Sequence, residues 1–168
     1  MAFAINHLKA LIIDDNVHMR DLLRRLLNSL GVRDLEQAAD GAGGLDLLKT
    51  NKFDFLMSDL EMKPMDGLEF TRQVRTTNTG HNPAVPIIMI TGHADMERVR
   101  AARDAGINEF IVKPVTTKDL LLRITEIMER PRAFIRTATY VGPDRRRKIR
   151  VGQGPMRRKD DIPVAKQG

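Results

Sequence analysis

The chain has 168 residues, a size that suits one domain with an appendage and excludes two full domains. No Cys is present, which excludes disulfides, thiolate metal sites and cysteine nucleophiles, and 42% hydrophobic residues with 4% aromatics and no Trp imply an aliphatic core. The formal charge of +6 hides an asymmetry: residues 131–168 carry 11 Lys/Arg against 3 Asp/Glu, so the preceding segment is slightly acidic.

The N-terminus, Met1 to Ala10, has no basic stretch followed by a long apolar run, and Asp14 and Asp15 interrupt the first hydrophobic segment early. Neither a signal peptide nor a membrane span is expected, which points to a cytoplasmic protein. Ala10–Ile13 is short, apolar and bounded by polar residues, as a buried strand should be. Val17–Leu30 follows with apolar residues at spacings of three and four, the mark of a helix packed on one face. The same alternation repeats along the chain. Leu35–Ala38 is a weaker strand, Gly43–Thr50 a helix, Phe53–Met57 a strand and Leu68–Thr76 a helix. Ile87–Ile90 and Phe110–Val112 are strands, and Met96–Ala105 and Lys118–Met128 are helices. This order predicts an α/β fold, a doubly wound five-stranded parallel sheet with helices on both faces, over residues 1–130.

After Arg130 the texture changes. Pro131 is followed by Ala133–Thr139, the Gly142-Pro143 turn signal, Arg145-Arg146-Arg147-Lys148 and a second basic cluster at Arg157-Arg158-Lys159. No apolar periodicity continues beyond Ile149, so residues 131–168 are expected to form an arginine-rich tail without its own core, ordered in part at its start and largely flexible.

In doubly wound folds chemistry sits at the carboxyl ends of the strands. Here the first strand runs into Asp14-Asp15, the third into Asp59, the fourth into Thr91-Gly92 and the fifth into Lys113-Pro114. Three carboxylates in one cleft repel each other unless a divalent cation lies among them. An all-oxygen ligand set without His or Cys suits Mg²⁺. Lys113 and Thr91 then offer donors to an anion placed on the central acid, which is a layout for phosphoryl transfer to a carboxylate. Each residue alone could be a solvated turn acid, a surface lysine or a core aromatic. It is their joint order that carries the reading.

In these motifs residues 8–129 resemble the CheY-like receiver family of two-component response regulators. The resemblance implies the strand order 2-1-3-4-5, Asp59 as the phosphoacceptor, and Asp14 and Asp15 as the acidic pair that holds Mg²⁺ with Asp59. It implies Thr91 as the switch hydroxyl, Phe110 as the switch aromatic, Lys113 as the phosphoryl-contacting lysine, and a cis Lys113-Pro114 bond. Two features depart from the common pattern: Glu61 follows Asp59 by two residues, and the loop reads Met62-Lys63-Pro64 with proline one place late. The expected partner is a histidine kinase or phosphotransfer protein, and the chain is expected to be a signalling protein, not an enzyme.

The tail is too short and too poor in apolar residues for a helix-turn-helix domain, so sequence-specific DNA reading is not expected. Its charge suits an anion, whether nucleotide, nucleic acid, lipid headgroup or acidic protein. Arginine can donate a planar pair of hydrogen bonds to guanine, a carboxylate can accept from guanine's Watson–Crick edge, and an aromatic ring can stack on a base. Arg132 and Arg136, Tyr140, Asp144, Arg145, Arg146, Arg147, Lys148 and Arg150 offer that set. The segment resembles the arginine-rich extension of the Cle proteins, CheY-like effectors of cyclic di-GMP. This implies a single-domain response regulator that binds cyclic di-GMP through its tail and acts by protein contact at the flagellar motor switch. The alternative is a plain phosphorelay or chemotaxis receiver with an unspecific basic tail.

Overall fold

The structure, a computed structural model, describes residues 4–146. Five strands form one parallel sheet: β1 (Lys9–Ile13), β2 (Asp34–Ala38), β3 (Phe55–Asp59), β4 (Ile87–Thr91) and β5 (Glu109–Val112), in the order β2-β1-β3-β4-β5. The helices that connect and flank them are α1 (Val17–Leu30), α2 (Gly41–Thr50), α3 (Gly67–Thr76), α4 (Met96–Ala105) and α5 (Thr117–Glu129). The expected fold and strand order are therefore those observed.

Side-chain alternation along each strand divides the core into two layers. Ala10, Ile12, Phe55, Met57, Ile88 and Ile90 pack with Leu23 and Leu27 of α1 and Leu120, Ile124 and Ile127 of α5. The intervening residues Leu11, Ile13, Leu56, Ile87 and Met89 pack on the other face with Leu48 of α2, Phe70 and Val74 of α3 and Ala102 of α4. Every residue of β3 and β4 is buried, which is why Phe55–Met57 and Ile87–Ile90 read as unbroken apolar runs.

Each helix begins at a side chain that accepts from an otherwise unpaired backbone N–H. Asn16 accepts from His18 and Met19, Asp40 from Gly43, Asp66 from Glu69, Asp95 from Arg98 and Thr116 from Asp119. The Asp40 cap starts α2 at Gly41, two residues before the apolar spacing does. The third strand starts later than expected. Phe53 lies outside it, 5.4 Å beneath the Lys9 ammonium, and the Asp54 carboxylate accepts from the Lys9 N–H at 2.7 Å, so pairing begins at Phe55.

The start of the extension, expected to be ordered in part, forms an antiparallel hairpin, β6 (Phe134–Arg136) with β7 (Val141–Pro143). A hairpin this small cannot bury a core of its own, and here the receiver body supplies one. Arg75 of α3 is fully buried; its guanidinium donates to the carbonyls of Gly106, Pro83 and Val85 and to Asn108 Oδ1, and lies 5.7 Å from the Phe134 ring. Burial pushes its pKa down to about 10. Gly142 lies against Gly106, the left-handed cap of α4 (φ 108°), so closely that a Cβ on Gly142 would stand 2.9 Å from the Gly106 Cα. Tyr140 is buried beside them, and its hydroxyl donates to the Pro143 carbonyl at 2.6 Å.

Candidate functional site

The carboxyl edge of the sheet collects the expected residues. Asp14 follows β1, Asp59 and Thr91 end β3 and β4, and Lys113 follows β5. Carboxylate oxygens of Asp14, Asp15 and Asp59 all lie within 4.8 Å of one another. Lys113 Nζ stands 3.0 Å from Asp59 Oδ1, so the central acid already holds a cation on one side. Asp14 and Asp59 are nearly buried, at 1% and 5% exposure, whereas Asp15 is exposed.

Burial dominates the electrostatics. It pushes the Asp14 carboxyl up to about 6, against the Asn16 N–H that donates to its Oδ1 at 2.9 Å. Burial also raises Asp59, and the neighbouring Lys113 ammonium pulls it back. Asp14 Oδ2 is buried with no hydrogen-bond partner, a costly state for a carboxylate oxygen. An orphaned acceptor facing two further carboxylates fits a hard divalent cation, and the all-oxygen donor set fits Mg²⁺ better than a softer metal.

The surroundings hold this edge in place. Arg20 of α1 donates to the Asp14 carbonyl at 2.7 Å. Leu60 N–H donates to Ile90 O, and Gly67 N–H donates back to Leu60 O, folding the β3–α3 loop over the end of the sheet. Only glycine fits at 67, because a Cβ there would come within 2.4 Å of the Asp59 carbonyl and 2.8 Å of Met89 Sδ. The Asp66-Gly67 pair thus has two duties, capping α3 and allowing its close approach to Asp59. The Lys63-Pro64 and Lys113-Pro114 bonds are both cis, the second as expected.

Thr91 is buried, and its hydroxyl is engaged with the backbone of His93, donating to the carbonyl and accepting from the N–H, each at 3.2 Å. Phe110 is half-buried against the core layer of α2, α3 and α4. Glu61 forms an ion pair with Arg98 at 3.7 Å, joining the loop after β3 to α4, a link that spacing alone does not give.

The tail residues divide. Arg132 is half-buried, donating to the carbonyls of Asn108 and Asp144, and Tyr140 is buried with one ring face beneath Arg145 at 4.5 Å. Arg132 therefore ties the extension to the body, and Tyr140 braces the hairpin from within. Arg136, Arg145 and Arg146 are exposed, and the Asp144 carboxylate accepts from Arg146 N–H and Nε at 2.9 and 3.3 Å. Arg145 reaches Asp104 of α4 at 2.5 Å. Arg147, Lys148 and Arg150 lie outside the described residues. Arg75 was missed from the sequence; its signal was a charge at helical spacing on the same face as Thr71, beside Phe70 and Val74.

Comparison with known proteins agrees with this geometry. The response regulator receiver domain family matches residues 10–125. Chemotaxis protein CheY-3 of Vibrio cholerae is 36% identical over 124 residues, 74% of this chain and 94% of that protein. Chemotaxis protein CheY of Pseudomonas aeruginosa is 36% identical over 123 residues, 73% of this chain and 98% of that one. Among solved structures, Vibrio cholerae CheY4 superposes with a TM-score of 0.66 at 29% identity, covering 72% of this chain and 98% of its own. The receiver domain of the Arabidopsis thaliana histidine kinase CKI1, complexed with Mg²⁺ and BeF₃⁻, superposes with a TM-score of 0.67 at 28% identity, covering 75% and 93%. No helix among the described residues is long and apolar enough to cross a membrane. Sheet order, strand-end acids, paired lysine and family match together establish that this chain belongs to the CheY-like response regulator receivers of two-component signalling.

Proposed function

We propose that Asp59 is the phosphoacceptor and that Asp14, Asp15 and Asp59 hold the Mg²⁺ the reaction needs. The observation that carries this reading is the buried, unpartnered Asp14 Oδ2 set beside an Asp59 that is already paired with Lys113. An Asp59 oxygen attacks the phosphorus of a phosphohistidine on a kinase or phosphotransfer protein. The new P–O bond forms as the P–N bond breaks, and the imidazole leaves with the electron pair. Lys113 keeps Asp59 ionised and oriented, then shares its charge with the phosphoryl oxygens. The Thr91 hydroxyl turns from His93 to donate to one of those oxygens. Bound Mg²⁺ supplies charge neutralisation for the carboxylates and the transferring group. Magnesium-dependent binding of beryllofluoride, lost in Asp59→Asn, tests this half of the reading.

The extension, in the same proposal, binds cyclic di-GMP and acts by protein contact at the flagellar motor switch. Arg136, Asp144, Arg145 and Arg146, continuing into Arg147, Lys148 and Arg150, are the contacting residues. Arg132 and Tyr140 position them through the hairpin. Support comes from the tail's charge and from a carboxylate set among guanidinium groups, an arrangement useful for reading a guanine edge and unhelpful for a pure phosphate clamp. Ordering a free chain costs about 1–2 kcal/mol per residue, so a seated hairpin lowers the cost of closing the tail on a ligand. Calorimetric titration with cyclic di-GMP, against GTP and cyclic di-AMP at fixed salt, tests this half. Equal weak binding of all three would reduce the tail to an unspecific cation.

A further inference from the structure

Helix α4 carries three arginines, and they are not equivalent. Arg98 is engaged by carboxylates, pairing with Glu61 and Asp95 at 3.7 Å each. Arg100 and Arg103 share another face of the helix with Asp104, because residues three and four apart lie side by side. Arg100 is exposed, and its side chain makes no hydrogen bond or ion pair among the described residues, although Glu97 stands one turn before it. Arg103 has no carboxylate partner among them either; its Nη2 donates to the Arg145 carbonyl at 3.3 Å. Asp104 accepts from Arg145 Nη1 at 2.5 Å. This face of α4 therefore meets the extension at the point where the extension turns basic, and offers three guanidinium groups for one carboxylate. Arg145 is held in a defined orientation there. Its guanidinium lies over the Tyr140 ring at 4.5 Å, its edge is taken by Asp104, and its side chain is still 46% exposed.

We propose that the nucleotide seat is a seam between α4 and the extension, in which Arg100 and Arg103 bind the ligand's phosphates and Arg145 presents its guanidinium plane to a base. The proposal rests on the extension binding cyclic di-GMP, and it moves part of that site onto the receiver body. Forked guanidinium donors suit the paired oxygens of a phosphodiester, and the planar group also stacks on bases. Tyr140 is buried beneath Arg145, so the plane on which a base can stack is that of Arg145. Asp144 and Arg146 remain beside it for the edge of the base. A tail acting alone would have to be ordered around its ligand. Helix α4 supplies two of the cations on a folded scaffold instead, which lowers the cost of binding.

Calorimetric titration of the full chain with cyclic di-GMP at fixed salt tests the seam. Arg100→Gln with Arg103→Gln is compared with Lys52→Gln with Lys118→Gln, which removes the same charge from exposed positions on other elements. The α4 pair is expected to weaken binding by about tenfold or more, the size of effect that charge-assisted contacts give. The lysine pair should stay within about twofold of wild type, since distant exposed charges are screened. Arg103 also touches the extension, so Arg100→Gln alone carries the decision: it removes no contact of the described fold, should leave the thermal midpoint unchanged, and should still weaken binding by about threefold or more. Arg100→Lys with Arg103→Lys should recover part of the loss, because the charge returns without the fork. Wild-type affinity in Arg100→Gln, or equal losses in the arginine and lysine pairs, overturns the seam and leaves the nucleotide reading of the extension standing. Absence of cyclic di-GMP binding by the wild-type chain overturns that reading and the seam with it.

Discussion

Gly142 of the C-terminal hairpin lies against Gly106 of the receiver body: a Cβ on Gly142 would stand 2.9 Å from the Gly106 Cα, and one on Gly106 would stand 2.8 Å from the Val141 carbonyl. This contact makes the start of the extension part of the packed domain. Gly142→Ala should therefore unseat the hairpin or force a backbone shift, costing about 1–3 kcal/mol, the usual range for overpacking. Urea denaturation followed by far-UV circular dichroism measures the loss. Unchanged stability would show that the glycine contact is dispensable.

Arg75 of α3 ties the approach to β4 and the segment after α4 together through four hydrogen-bond acceptors, and its guanidinium lies over the Phe134 ring of the hairpin. Arg75→Met keeps the apolar stem and takes the donor from the Gly106, Pro83 and Val85 carbonyls, while Asn108 Oδ1 keeps the Ile87 N–H. A loss on the order of 3 kcal/mol is expected, since each unsatisfied buried group costs about 1–3 kcal/mol. Arg75→Lys should fall between, because one ammonium cannot reach all four. Equal stability of Arg75→Met and wild type would contradict the anchoring role.

Burial raises the Tyr140 phenol above its ordinary pKa, and the guanidinium of Arg145 opposes this. Its folded pKa thus lies above its unfolded one. Hairpin docking is fully supported below the ordinary tyrosine pKa of about 10 and is lost as pH rises through the folded value. Ultraviolet titration should show a single transition above the midpoint of the urea-unfolded chain. Coincident midpoints would mean that the ring is open to water.

Asp14 gives the metal prediction its sign. Its folded pKa, pushed up to about 6, exceeds the ordinary carboxylate value. Its contribution to stability is complete below about pH 4 and is lost as pH rises through about 6. Metal-free protein should therefore lose thermal stability over that window from this group. Mg²⁺ needs the ionised carboxylate, so MgCl₂ should raise the Tm near neutrality and do little well below the folded pKa. Asp14→Asn should melt higher than wild type without metal near neutrality and should not respond to Mg²⁺. An equal response in that variant would place the metal elsewhere.

The receiver fold was legible because its information is local. Buried strands leave short apolar runs, helices leave three-and-four spacing, and the strand-end rule locates Asp14, Asp59, Thr91 and Lys113 without any knowledge of contacts. The start of β3 was misplaced because Phe53 is apolar yet lies under Lys9, a partner far away in sequence. The hairpin was illegible for the same reason at larger scale. Phe134, Tyr140 and Val141 are too few to suggest a core, and their partners Arg75 and Gly106 come from the body. Arg132 and Tyr140, expected as ligand contacts, also have structural partners at Asn108, Asp144 and Pro143 that spacing does not show. The Glu61–Arg98 and Asp104–Arg145 pairs likewise depend on where α4 lies, which spacing alone does not give.

The central claim is that Asp59 accepts a phosphoryl group at a site completed by Asp14, Asp15 and Lys113. Its most direct test is to incubate the full chain with Mg²⁺ and phosphoramidate, trap the acyl phosphate by borohydride reduction, and locate the modified residue by peptide mass spectrometry. A magnesium-dependent label is expected at Asp59 alone, converted by reduction to homoserine and absent from Asp59→Asn. A label on another residue, or none at Asp59 in the presence of Mg²⁺, would contradict it.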